Sequence, residues 1–321
     1  MAHNIFEKRF YSLRVPAWHK LGIVADHEQA LDEITALLNV PDVTLEPVYA
    51  EVHGKNAMLE LPDIRAIISS DAKCFGTVSD HYKLVSHKDF LAAWQQCIPT
   101  PTETLGMLGQ GETLFITTTL PSISVKGDEC KPYLFASNTC DGKTSIRARP
   151  VATRVVCQNT MNIALREYTN TDFNGRHMGG DVLQRLMIFL THVWDSRNGN
   201  VTMLQDAFTK LAETCVDDQQ AKAYHSTVYE LPDRPDSSQP EILVKWEEFC
   251  LDQVTHRSHA LHLFQDSPTN TDATKGTLWG AYQSVLEYEC HCRKGSGARS
   301  VLFGAGAQRM EKAFTAAISL V

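Results

Sequence analysis

The spacing of apolar residues changes character once along this chain, and that change restricts the fold more than any other feature. Up to about residue 180, apolar residues come in short runs rich in Val, Ile and Thr, cut by Gly, Pro, Asn and Asp. Examples are VTLEPVYAEV, IRAIISS and KCFGTVSD between Val43 and Asp80, followed by TETLGMLGQGETLFITTTL and KPYLFASNTCDGKTSIRARPV. Runs of this kind read as strands joined by turns, here an antiparallel meander and hairpins. From Asp181 onward the apolar residues recur at three- and four-residue intervals, in DVLQRLMIFLTHVWDSR, TMLQDAFTKLAETC, ILVKWEEFCLDQV, TLWGAYQSVLEYECH and AQRMEKAFTAAISLV. That is the period of helices with one buried face. Strands first and helices afterwards predict an α+β fold rather than βαβ units: an antiparallel sheet in the N-terminal half with backing helices, then a helical C-terminal half.

Two helices are expected among the strands, HEQALDEITALLNV stopped by Pro41 and HKDFLAAWQQC ending before Pro99. Gly109-Gln110-Gly111 marks one hairpin turn. Asp141-Gly142 marks another, read as type I′ because both central residues of that turn need positive φ. Beyond Pro150, TRVVCQNTMNIALRE is expected to turn into a helix. The organisation read from this pattern is a mixed core over residues 1–180 and a mainly helical region over 181–321, with a proline-rich surface loop at 229–241. Packing of the two as one unit stays open.

Of the 321 residues, 43% are hydrophobic and 21% charged, which excludes a disordered, collagen-like or rod-like chain. No run approaches the ~18 apolar residues of a membrane helix. The first twenty residues lack the continuous apolar segment of a secretory leader. The nine cysteines show no CxxC pair and read as reduced thiols. The expectation is a soluble, cytoplasmic protein with no membrane partner.

The formal charge of -8 hides an uneven distribution. Between Lys131 and Arg166, six cations (Lys131, Lys143, Arg147, Arg149, Arg154 and Arg166) stand against the single acid Asp141, so 36 residues carry +5 and the remainder -13. On a strand, Arg147 and Arg149 share a face. Arginine forks suit phosphate, and Asn138, Thr153, Asn159 and Thr160 add neutral donors. Tyr82 and Lys83 in the segment SDHYKLVSHK could extend such a groove, with Tyr82 stacking a base. The competing reading is a solvated strand face whose arginines pair with acids elsewhere, and an ordinary surface tyrosine.

Other chemistry is poorly supported. His256, His259 and His262 fan too widely on a helix for a compact metal site, and Cys290-His291-Cys292 has no second ligand pair. Cys157, near Arg149 and Arg154, has no histidine within ten residues. No phosphate loop or zinc-protease motif occurs. No metal, cofactor or catalytic residue is assigned.

Several segments resemble a known family. PAWHKLG carries Trp18, His19, Leu21 and Gly22. GTVSDHYKLV carries Gly76, Val78, Ser79, Tyr82 and Lys83. The central block LFASNTCDGKTSIRARPVATRVVCQNT carries Ser137, Asn138, Asp141, Gly142, Arg147, Arg154 and Cys157-x-Asn159-Thr160. LWGAYQSVLEYECH and LFGAGAQ complete the series. These blocks, in this order, resemble the phage- and plasmid-like proteins grouped as domain of unknown function 932. Lys20 and Gln158 depart from the family's usual Gly and Asn. The resemblance implies a mobile-element protein acting in a bacterial cytoplasm, and carries no catalytic residues with it. By analogy of fold with phage single-strand annealing proteins, the expected function is single-stranded DNA binding in recombination or replication, without nucleotide hydrolysis. The binding residues would be Lys131, Lys143, Arg147, Arg149, Arg154, Asn159, Tyr82 and Lys83. Expected partners are single-stranded nucleic acid, further copies of the chain, and host or phage replication proteins. The alternatives are a protein-binding host-takeover or counter-defence module, and an enzyme of unknown reaction.

Overall fold

A computed structural model describes residues 5–15, 21–55, 57–154, 160–162, 172–178, 181–293 and 298–321. The fold is α+β, with strands concentrated in the N-terminal half and helices in the C-terminal half. The chain divides into two compact units, each assembled from three segments: residues 1–120, 133–150 and 165–197 in the first, and 121–132, 151–164 and 198–321 in the second.

The first unit contains two sheets. β1 (Ile5–Leu13), β6 (Thr104–Leu108), β7 (Thr113–Thr119) and the C-terminal part of β9 (Asp128–Thr139) are antiparallel neighbours, and β2 (Ile23–Ala25) adds to β1 in parallel. β10 (Ile146–Arg154) follows β9, and β12 (Phe173–Gly175) pairs with its first residues. The meander read from the sequence is the second sheet: β3 (Val43–Val52), β4 (Ala57–Ser69) and β5 (Cys74–Ser79). Helix α1 (Leu31–Leu37) ends ahead of Pro41 as expected. Helix α2 (His87–Cys97) starts at a capping box. The Ser86 hydroxyl accepts from the Asp89 amide at 3.1 Å, and the Asp89 carboxylate accepts from the Ser86 amide at 3.3 Å. Phe90, Leu91 and Trp94 of α2, and Leu186, Leu190 and Val193 of α3 (Val182–Asp195), are buried in this unit.

The second unit holds β8 (Ile123–Val125) against the start of β9, β11 (Thr160–Asn162) against the end of β10, and six helices among the described residues: α4 (Arg197–Glu213), α5 (Asp218–Val228), α6 (Pro240–Asp266), α7 (Leu278–Glu287), α8 (Ala298–Phe303) and α9 (Ala305–Ile318). All ten residues of α7 are buried. Trp279 packs on Phe208 with ring centroids 4.7 Å apart, and its indole donates to Asp128 at 2.9 Å. Gly280 is required there, because a Cβ would sit 1.9 Å from the Thr274 carbonyl oxygen. Among the described residues, no helix is long and apolar enough to cross a membrane.

Two local expectations need correction. The Asp141-Gly142 turn is not a two-residue type I′ hairpin. β9 ends at Thr139 and β10 begins at Ile146, and Gly142 is at positive φ while Asp141 is not. The Asp141 carboxylate instead accepts from the amides of Lys143 (2.8 Å) and Thr144 (2.7 Å) and from the Thr144 hydroxyl (2.8 Å), which closes a longer loop. The helix expected after Pro150 is replaced at Thr160–Asn162 by strand β11, whose ladder partners are Val151–Thr153. The rest of that segment, including Cys157, Asn159 and Arg166, lies outside the described residues.

Candidate functional site

The loop after β9 is locked onto β5 by two close approaches that tolerate no side chain. A Cβ on Gly76 would meet the Asp141 carbonyl oxygen at 2.7 Å, and one on Gly142 would meet Val78 Cγ1 at 2.5 Å. Gly142 also has φ +74. Gly142→Ala is therefore expected to lower stability by about 2–4 kcal/mol, the combined cost of left-handed backbone and overpacking. Urea unfolding of the variant checks this, and a loss under 0.5 kcal/mol (about the noise of a surface change) would contradict the packing.

This locked loop delivers Lys143 to solvent and feeds β10. Across from β10, Ile146 pairs with Gly175, Arg147 with Asn174 and Ala148 with Phe173. Phe173 packs on Phe189 of α3 (5.6 Å), and a Cβ on Gly175 would strike Val182. Ile146, Ala148, Phe173 and Gly175 thus face α3, and Arg147 and Asn174 face the other way. One residue beyond β12, Arg176 is exposed. Next to it, the Lys83 amide donates to the His177 carbonyl oxygen at 2.8 Å, and Tyr82 bridges to Met178. Backbone pairing therefore gathers Lys83, Lys143, Arg147 and Arg176 from three stretches of sequence at one end of β10. Lys83, Lys143 and Arg176 are exposed and Arg147 is half-buried. Among the described residues, no ion pair joins any of the four to a carboxylate.

The remaining expected contacts fall elsewhere. Arg149 is only 6% exposed. Its side chain is therefore enclosed rather than presented to solvent, although alternation along β10 puts it on the same face as the half-buried Arg147. Tyr82 is likewise buried, in a cluster with Val43, Ile67, Val78 and Cys140, and its ring stacks on His177 at 5.1 Å. A base-stacking role for Tyr82 is incompatible with that position. Lys131 is exposed but belongs to the second unit. Arg154 closes β10 with a side chain outside the described set, as is all of Asn159. The sequence reading missed Arg176, whose only signal is a single cation in NGRHMGG.

The first unit also holds a buried polar cluster. Asn138 donates to the Val85 carbonyl at 2.9 Å. His87 Nε2 and the Gly111 carbonyl oxygen are 3.0 Å apart, so the ring donates there and presents Nδ1 to Asn138 Nδ2 (3.5 Å) and Cys140 Sγ (3.9 Å). The contact resembles a thiol–imidazole pair, but burial sets the protonation against it. Burial pushes the Cys140 thiol up to about 12 and the His87 imidazole down to about 4. Both partners are neutral near pH 7, so the pair supplies no thiolate.

The second unit has its own polar centre at a π-helical turn, Tyr288–Cys292. The buried Glu289 carboxylate accepts from Arg309 (2.7 and 3.2 Å), Arg293 (3.4 Å) and the Tyr229 hydroxyl (3.2 Å). His256 Nδ1 lies 2.7 Å from the Tyr288 hydroxyl, and His259 stacks on the Tyr288 ring. Two of the three α6 histidines are thus engaged with Tyr288. Among the described residues, no group of three or more His, Cys, Asp or Glu side chains could hold a metal ion.

No curated protein and no solved structure matches the chain. One family does match, over residues 74–315, a span that includes the loop after β5, the Asp141–Gly142 loop, the cationic end of β10 and the α7 core. By that match the chain belongs to the family described as domain of unknown function, DUF932.

Proposed function

We propose that the chain is a single-stranded-DNA-binding accessory protein of phage recombination or replication, working by phosphate capture without nucleotide hydrolysis. The observation that carries this reading is the convergence of Lys83, Lys143, Arg147 and Arg176 at one end of β10, on a chain that is acidic overall. Each cation that takes a phosphate releases condensed counterions, which drives binding irrespective of base sequence. Asn174, exposed opposite Arg147, adds a neutral donor. Arg149 and Tyr82 take no part in this grip, so phosphate contact dominates over stacking. Fluorescence anisotropy with labelled single-stranded oligonucleotides tests it. At 50 mM salt the wild type is expected to bind, and Lys143→Ala/Arg147→Ala/Arg176→Ala to bind at least tenfold more weakly (three phosphate contacts removed). Equal affinity of variant and wild type would end the assignment.

A second reading, a protein-binding module, is favoured by the N-terminal half of α6. Val244, Phe249, Leu251 and Val254 are all about half exposed or more, and are interspersed with Glu241, Glu247, Glu248 and Asp252. Several exposed apolar side chains on one stretch of helix mark an interaction surface.

A further inference from the structure

Helix α6 outruns the packing of its own unit. Its 27 residues span about 40 Å, yet the residues it buries, Gln253, His256, Ala260 and Phe264, all lie at or beyond its midpoint. Steps of four and three residues from Gln253 toward the N-terminus continue the same face through Phe249, Trp246 and Ile242. Phe249 is 48% exposed and Ile242 41%. Trp246 is half-buried, and its indole donates to the Pro232 carbonyl at 3.2 Å. No residue from Pro240 to Asp252 is buried. A seam that closes against α5 and α7 in one half of α6 thus runs on uncovered for about 20 Å.

Carboxylates flank this seam. Glu241, Glu248 and Asp252, spaced seven and four apart, fall along one side of it, and Glu247 lies on the other. All four are exposed, and among the described residues no ion pair joins any of them to a cation. With Lys245 the one cation in the stretch, Pro240 to Asp252 carries four negative charges against one positive, a net -3. That charge discriminates among the bodies that could cover the seam. A second copy laid on it would set -3 against -3, and nucleic acid and anionic lipid are repelled in the same way. What is complementary is a surface with an apolar stripe edged by cations.

We propose that the exposed half of α6 is the docking site for a basic amphipathic helix of another protein. Ile242, Trp246 and Phe249, at i, i+4 and i+7, are the anchors of a helix–helix contact. Lysines or arginines along the edge of the partner's apolar stripe pair with Glu241, Glu248 and Asp252. A few apolar anchors and solvent-exposed ion pairs make such a contact reversible, with a dissociation constant in the micromolar range. This inference rests on the protein-binding reading and is independent of nucleic-acid binding.

The probe is a model peptide of leucines and lysines, about 18 residues long with its leucines on one helical face, and a twin with glutamate in place of lysine. Hydrogen exchange of the full chain at about 50 mM salt, with and without each peptide, locates the contact. The lysine peptide is expected to slow exchange along Pro240 to Asp252, and the glutamate peptide to leave it unchanged. By fluorescence anisotropy, Ile242→Ser/Phe249→Ser weakens binding of the labelled lysine peptide at least tenfold. Glu241→Lys/Glu248→Lys/Asp252→Lys, which carries the test if the first variant fails to fold, reverses the preference so that the glutamate peptide binds instead. Protection of the wild type by the glutamate peptide would overturn the basic partner and leave a protein-binding surface in place. Protection by neither peptide, or lysine-peptide binding that Ile242→Ser/Phe249→Ser leaves intact, would overturn the docking site itself. Concentration-dependent dimerisation in sedimentation velocity that Phe249→Ser abolishes would overturn it in favour of a second copy.

Discussion

Acidification from pH 7 to pH 4 is expected to strip roughly 3 kcal/mol of stability from each unit, through one buried neutral histidine in each. His87 in the first unit is fully buried, and burial pushes its imidazole down to about 4 despite the hydrogen bond to Gly111. His225 in the second unit lies between Tyr224 and Ser284, with its Nε2 2.9 Å from the Ser284 hydroxyl, and burial pushes it down to about 4 as well. An unfolded histidine titrates near 6.5. Below that value the unfolded chain takes up protons that the folded chain refuses. Stability is thus fully present above pH 6.5 and is lost as the pH falls toward 4. Urea unfolding at pH 7.5, 5.5 and 4.5 checks the slope, and His87→Gln should flatten it for the first unit. Constant stability across that range would mean that the rings find a place for the extra proton.

Arg309→Ala is the second large effect, a loss of about 3–5 kcal/mol. The Glu289 side chain has no exposure and Arg309 supplies its two-pronged partner. Removing the guanidinium leaves a buried carboxylate with, among the described residues, Arg293 and Tyr229 to hold it. Removing both charges together, as Glu289→Gln/Arg309→Met, should cost less than Arg309→Ala alone, because no uncompensated charge remains. Thermal unfolding of the three proteins separates these cases. A loss below 1 kcal/mol for Arg309→Ala (the range of a weak surface pair) would show that water reaches Glu289.

Much of the fold was legible because it follows from local pattern. The β3–β4–β5 meander, the turn at Gly109–Gly111 and five of the C-terminal helices follow from period and punctuation. Helix α5 was missed because its buried stripe is Ala221, Tyr224, His225 and Val228, half of it not strongly apolar. β12 is too short, at three residues, to show any period. The site was less legible for a different reason. Alternation along β10 says that Arg147 and Arg149 share a face, but not that one is buried and the other only half-buried. Arg176 joins the edge only through the register of β12 on β10, a pairing across some thirty residues of chain. The thiol and imidazole of Cys140 and His87 meet across 53 residues. The C-terminal block resolves into packing, since Trp279, Gly280 and Tyr282 form the α7 core.

The most direct test of the nucleic-acid reading is the slope of log affinity against log salt for a single-stranded oligonucleotide. Four phosphate contacts predict a slope of about −3, so affinity should fall roughly fiftyfold between 50 and 200 mM salt. Lys143→Ala/Arg147→Ala/Arg176→Ala should reduce the slope to about −1. A wild-type slope near zero, or the same slope in the variant, would contradict phosphate capture at this end of β10.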